Sequence, residues 1–298
     1  MDATPTDDQF VQQIAAARAE HTLPPGIQTL ADELIQRTLA LLFPHFARET
    51  ATSEAEVRTE IEQLAELLTS LLVGQGIQDA RAREICDAFI HSLPDLQDEL
   101  SDDAIASYEA DPAAESLDEV LIAYPGSLAM TYYRVAHRLH ELGVALLPRL
   151  ITELAHQHTG IDINPGATIG RSLAIDHGTG IVIGETAVIG DRVRLYQGVT
   201  IGALSVSKEF VSQKRHPTIG DDCIVYANAS LLGGDTVIGE NSVIGGNVWL
   251  THAVPANSVV THGATVQRRR MESEPLSPRI DFRNPEPATA RQPPLSSR

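Results

Sequence analysis

The sequence predicts an α+β protein, an N-terminal helical domain followed by a parallel β-helix of six-residue repeats, and three observations predict it. Apolar residues recur at helical spacing through the first half of the 298-residue chain. After Gly160 the apolar period becomes six. Glycine and other small residues then keep fixed places within each repeat.

The helical half comes first. Val57, Ile61, Leu64, Leu68 and Leu71 step by four and three residues, which puts all five on one face of a helix. Thr52 or Ser53 can cap its start, and Gly74 and Gly76 stop it. Weaker stripes of the same kind predict helices over 27–42 and 80–90, and a pair over 128–142 and 144–158 separated by Gly143. These stripes read as core.

In the second half Ile163, Ile169 and Ile175 are six apart, as are Ile183, Ile189, Leu195 and Ile201. The pattern resumes with Ile219, Val225 and Leu231, then with Ile238, Ile244 and Leu250. Glycine often follows the aliphatic, as at Gly170, Gly184 and Gly220, and two positions before it stands a small residue such as Ala167, Ala187 or Cys223. A period of six fits neither a lone helix nor a hairpin. It fits short strands that turn a corner each hexapeptide, with aliphatic side chains stacked inside. Three hexapeptides make one coil, and successive coils lie about 4.8 Å apart.

The register breaks three times. A step of eight between Ile175 and Ile183 extrudes a bulge around Asp176-His177-Gly178-Thr179-Gly180. Between Ile201 and Ile219 a loop, about 204–214, leaves the coil before Arg215-His216-Pro217, and one extra residue enters beside Gly233-Gly234. Repeat proteins put function where insertions leave the wall. The last 28 residues hold six prolines and no period, so a mostly disordered tail is expected there. The division expected is 1–160 helical, 161–262 β-helix and 263–298 tail.

Composition narrows the function. With 22 basic against 40 acidic residues the formal charge is −18, which repels phosphate backbones and anionic lipid, so neither nucleic acid nor membrane is an expected partner. Two distant cysteines give no disulfide framework and suit a reducing compartment. No signal peptide and no span of roughly 18 apolar residues is present, and the expected location is cytoplasmic.

His177 stands in the extruded, glycine-rich turn, where it can face a groove, and imidazoles titrate near neutral pH, as a general base requires. Asp162 lies 15 residues earlier, just before the equivalent corner one coil below. A carboxylate there can fix the imidazole's tautomer and stabilise its cation. Arg215 and His216 close the long loop, and a guanidinium there could take a substrate carboxylate bidentately. His156 and His158 have no third ligand at suitable spacing, so no metal is expected.

These residues carry a resemblance. Gly160-Ile161-Asp162-Ile163-Asn164-Pro165-Gly166, the Asp176–Gly180 bulge and Ile183-Gly184-Glu185-Thr186-Ala187-Val188-Ile189-Gly190 resemble bacterial serine O-acetyltransferase. So do Tyr196-Gln197-Gly198-Val199-Thr200-Ile201-Gly202, Arg215-His216-Pro217 and, upstream, Asp111-Pro112 and Tyr133-Arg134-Val135-Ala136-His137. The likeness covers about 111–260. It implies a left-handed coil and a reaction in which the residue matching His177, paired with that matching Asp162, takes the serine hydroxyl proton. The alkoxide then attacks acetyl-CoA directly, with no permanently bound cofactor. Residues matching Asp111, Asp176, Arg215 and His216 would hold serine, the acids taking its ammonium and the arginine its carboxylate. Those matching Ala203 and Ala227 would lie along the pantetheine arm. The product, O-acetylserine, feeds cysteine synthesis, with cysteine as feedback inhibitor. The assembly implied is a homotrimer or a pair of trimers, with sites between neighbouring coils. Many members end in an isoleucine that enters O-acetylserine sulfhydrylase. This chain ends Ser296-Ser297-Arg298, so that complex is expected to be weak or absent.

Two other functions could use the same fold. A hexapeptide acetyltransferase acting on a sugar or another small hydroxyl would use the same histidine but has no need of an ammonium and carboxylate pair. A non-catalytic β-helix scaffold would have no need of the bulge.

Overall fold

The computed structural model describes residues 8–204 and 213–262. Most of the loop expected at 204–214, and the tail from 263, therefore lie outside the described residues. Among the described residues eight α-helices precede the first strand: α1 Asp8–Glu20, α2 Ile27–Leu42, α3 Glu54–Gly74, α4 Asp79–His91, α5 Leu93–Ala110, α6 Leu117–Ala123, α7 Pro125–Glu141 and α8 Leu147–Thr159.

Helix α3 begins at a capping box. The Ser53 hydroxyl accepts the Glu56 N–H, and Glu56 reaches back to the Ser53 N–H at 3.0 Å, a reciprocal arrangement whose cap stabilises the helix by about 1 kcal/mol. Leu64, Leu68 and Leu71 are buried, but Val57 is exposed together with the rest of the first turn. Helices α1, α5 and α6 were not among those the stripes predict. The inner stripe of α5 is Leu93, Leu96, Leu100, Asp103, Ala104 and Ser107. Its spacing is helical, but two of its six members are polar, which hides it from a hydrophobicity reading.

Between Asp162 and Val260 the described residues wind as a parallel β-solenoid with three walls. Wall A stacks Asp162–Ile163, Val182–Ile183, Thr200–Gly202, Ser230–Leu232 and Trp249–Leu250. Wall B stacks Thr168–Ile169, Val188–Ile189, Thr218–Ile219 and Val237–Ile238, and wall C runs from Ala174–Asp176 to Val259–Val260. The register aligns the predicted aliphatics in columns: Ile163, Ile183, Ile201, Leu231 and Leu250 in wall A, and Ile169, Ile189, Ile219 and Ile238 in wall B. All are buried in one core. Each inward side chain of a column thus meets another aliphatic in an adjacent coil, and burial of each stabilises by about 1.5–3 kcal/mol.

Helix α7 joins the two halves. Ala129, Met130 and Tyr133 enter the core of the coil, while Tyr132, Val135, Ala136 and Leu139 enter the core of the helices. The lowest coil has no neighbour beneath it, so its outward-facing polar backbone needs other partners. α7 supplies several of them. The Tyr133 hydroxyl donates to Ala167 O (2.5 Å), Arg134 Nη2 to Gly170 O (2.7 Å), and His137 Nδ1 to Pro165 O (2.7 Å). Arg134 also pairs with Asp103 of α5 (Nε–Oδ2 2.7 Å), both almost wholly buried, and Asp103 Oδ1 accepts the Leu173 N–H at 2.9 Å. The helices and the coil form one compact unit through His262.

Candidate functional site

The residues singled out in the sequence fall on two corners of the coil. Asp176 ends a strand of wall C, and His177 follows it at the corner that leads to wall A. There the Gly178 N–H returns to Asp176 O at 2.7 Å, closing a three-residue turn with His177 at its apex. His177 takes a φ of 58° in that turn, a left-handed conformation uncommon for a residue with a side chain. The consequence is that the ring is thrown outward, with its side chain 73% exposed.

Asp111 reaches the same corner from the helical half. It caps the C-terminus of α5, whose last carbonyl, Ala110 O, accepts Arg194 Nη1 of wall C at 3.2 Å. Its carboxylate receives the Tyr124 hydroxyl on Oδ2 (2.6 Å) and the Ala113 N–H on Oδ1 (2.8 Å). The tyrosine hydroxyl first, the Ala113 N–H second and the neighbouring His177 last hold the Asp111 carboxyl below the usual carboxylate range. The same hydrogen bond pushes the Tyr124 phenol up to about 12, so the tyrosine remains a donor. Tyr124 was not singled out in the sequence. Its partner is thirteen residues away across α6, a meeting no periodicity announces.

Asp162 opens the lowest strand of wall A, one coil below Val182. Its Oδ1 lies 3.6 Å from Arg149 Nη1 of α8, while His177 Nδ1 lies 3.6 Å from Asp176 Oδ1. Among the described residues no hydrogen bond or ion pair joins Asp162 to His177. Ala227 stands on this corner two coils above His177, in the turn after Ile224–Val225.

Arg215 and His216 lie on the next corner, between walls A and B, beside Glu185 and Thr186. The Thr186 hydroxyl accepts the N–H groups of Arg215 (2.9 Å) and His216 (3.1 Å), and Arg215 pairs with Glu185. His216 is buried, and a methyl group on Gly184 would run into its ring, so only glycine there admits the imidazole. Burial first, then the charges of Arg215 and Lys214 against that of Glu185, lower the His216 imidazole to about 4. It is therefore neutral at physiological pH. Ala203 follows Thr200–Gly202 on this same corner.

One wall separates the two groups. That wall is the strand Val182–Ile183 with one residue on either side, about 10 Å from Ile181 to Gly184 at strand rise. The arginine thus stands on one corner of the copy and the two carboxylates on another. Among the described residues no group of histidines, cysteines and acids could hold a metal ion, and no helix is long and apolar enough to cross a membrane.

No protein-family model matches the chain. It is 49% identical over 224 residues to a Synechococcus elongatus protein named "Serine acetyltransferase, plasmid", covering 71% of this chain and 70% of that one. It is 45% identical over 161 residues to the serine acetyltransferase of Bacillus subtilis, covering 54% of this chain and 72% of that one. Among solved structures it is similar to Entamoeba histolytica serine acetyltransferase 1 in complex with L-cysteine, with a TM-score of 0.72 and 32% identity over 79% of this chain and 98% of that one. It is also similar to the Neisseria gonorrhoeae serine acetyltransferase in complex with serine, with a TM-score of 0.55 and 28% identity over 78% and 95% of the two chains.

Proposed function

This chain belongs to the serine acetyltransferase family, and we propose that it moves the acetyl group of acetyl-CoA onto the hydroxyl of L-serine with His177 as general base. The observation that carries the reading is the convergence of Asp111, Asp176 and His177 on one corner, from α5 and from the bulge. Two carboxylates beside an outward imidazole suit a substrate that offers an ammonium next to a hydroxyl.

The reaction follows from those groups. The His177 ring takes the proton from the serine hydroxyl as its oxygen attacks the thioester carbon. The tetrahedral intermediate collapses by breaking the C–S bond, and the imidazolium returns the proton to the leaving thiolate. O-acetylserine and CoA are the products, and the first supplies cysteine biosynthesis. Asp162, on the same corner one coil below, orients the ring and stabilises its cation in the acceptor-bound enzyme. Both side chains retain freedom for this, at 73% and 25% exposure.

The carboxylate of serine falls to Arg215 of a second copy, on the corner His216 also helps to form, since both stand a wall away from His177 in their own chain. The protein therefore works as a homotrimer or a multiple of three, each site built from two neighbouring coils. Ala227 on one corner and Ala203 on the other then line the two sides of the groove for the pantetheine arm. Cysteine, which differs from serine by one atom, occupies the same place as an inhibitor. The relatives solved with cysteine and with serine support this choice of ligand.

The test is thiol release from acetyl-CoA across serine, homoserine and simple sugars. Serine should be the best acceptor by at least tenfold. A sugar that outperforms serine would replace this reading with that of a sugar acetyltransferase, and no turnover with any acceptor would leave a binding scaffold.

A further inference from the structure

Tyr124 sits where the helical half meets the catalytic corner. It is the residue before α7, and the second residue of that helix, Gly126, packs so closely on the coil that a Cβ there would stand 2.6 Å from Ile175 O. Ile175 is followed directly by Asp176 and His177. The close approach at Gly126 therefore fixes the backbone of Tyr124 against the strand that presents both. From that fixed point the phenol reaches Asp111 Oδ2 at 2.6 Å. Asp176 is also near enough to disfavour ionisation of the phenol, a smaller effect than that of Asp111.

We propose that Tyr124 is a positioning residue for amino-acid recognition: its hydroxyl fixes the Asp111 carboxylate at the corner occupied by Asp176 and His177, so that the substrate ammonium meets two acids already in place. The inference rests on the reading that Asp111 takes that ammonium. Each Asp111 oxygen accepts one intramolecular donor, from Tyr124 or from Ala113, and keeps a second lone pair for a ligand. A carboxylate without such donors rotates freely, and a ligand must then meet the cost of ordering it. A hydrogen bond to a charged acceptor is among the stronger kinds. Tyr124 needs no contact with substrate for this role, and none with acetyl-CoA.

The experiment is a double-mutant cycle on the full chain: parent, Tyr124→Phe, Asp111→Ala and the combined variant. The readouts are kcat, KM for serine, KM for acetyl-CoA, the inhibition constant of cysteine, and the melting temperature. Phenylalanine keeps the ring and removes only the donor. Tyr124→Phe should raise the serine KM and the cysteine inhibition constant together by roughly tenfold, with kcat, the acetyl-CoA KM and the melting temperature little changed. Asp111→Ala should have the larger effect on serine, and the combined variant should match Asp111→Ala, because the hydroxyl acts through that carboxylate. If Asp111→Ala loses serine affinity while Tyr124→Phe keeps it, Tyr124 has no such role and the ammonium reading stands. Effects that add fully in the combined variant, or a rise in both KM values with a lowered melting temperature, would also overturn the proposal. If Asp111→Ala itself spares serine, the ammonium reading fails and takes this one with it.

Discussion

The Nδ1 of His216 accepts the backbone N–H of Thr186 at 3.0 Å. A backbone N–H can only donate, so in the neutral ring the proton resides on Nε2. That nitrogen lies against Gly184, which has no side chain to displace it.

The first prediction concerns this ring. Its pKa is about 4 in the folded chain against 6.5 for the free side chain. The fold therefore favours the neutral form, and the unfolded chain binds more protons between those values. The stability it contributes is complete above pH 6.5 and is lost as pH falls through 4. In an NMR titration the His216 ring signals should stay constant from pH 8 to 5.5, and a midpoint near 6.5 would contradict the burial described. His216→Gln should flatten the stability profile between pH 6.5 and 4.

The second prediction separates base from orienter. His177→Ala should reduce turnover by about 10²–10⁴ while the fold persists, because an outward ring contributes little to the core. Asp162→Asn should cost a similar factor, since an amide cannot stabilise the imidazolium. Steady-state rates in each variant decide the matter. If Asp162→Asn stays within twofold of the parent, Asp162 serves only to pair with Arg149.

The third prediction uses the two corners. His177→Ala and Arg215→Ala variants, each inactive for its own reason, should regain activity when unfolded together and refolded as mixed assemblies. Some interfaces would then carry an intact His177 corner opposite an intact Arg215 corner. Activity that never rises above that of either variant would mean both corners serve one copy.

The fourth concerns stability. Arg134→Ala leaves the Asp103 carboxylate buried without its cation and should cost about 3–5 kcal/mol in urea unfolding. Removing both charges should cost less than removing Arg134 alone. A single-variant loss under 1 kcal/mol would show that water replaces the pair.

Much of this was legible in the sequence for a physical reason. The inward position of a hexapeptide faces the same stacked column in every coil, so one requirement is repeated along the chain, as at Ile183, Ile201 and Leu231. His177 and Arg215 were singled out because each stands at a break in that repetition. α5 escaped because Asp103 and Ser107 interrupt its stripe. Tyr124 escaped because its importance lies in a contact between two segments that no local pattern records. Tyr133, Arg134 and His137 were visible as part of a resemblance, but their work as donors to the lowest coil required the structure.

Those three donors bear on how the chain avoids polymerising. A β-solenoid is a stack of exposed strand edges, and head-to-tail fibre growth needs a free lower edge to receive the upper edge of another molecule. Here side chains of α7, with Asp103 of α5, already occupy Ala167 O, Gly170 O, Pro165 O and the Leu173 N–H. An incoming strand would have to displace a buried ion pair and a tyrosine whose ring is locked in the core. With those groups taken, the lower edge offers an incoming strand fewer free partners. The helical half is thus also a stopper at that end of the coil, set against amyloid-like growth.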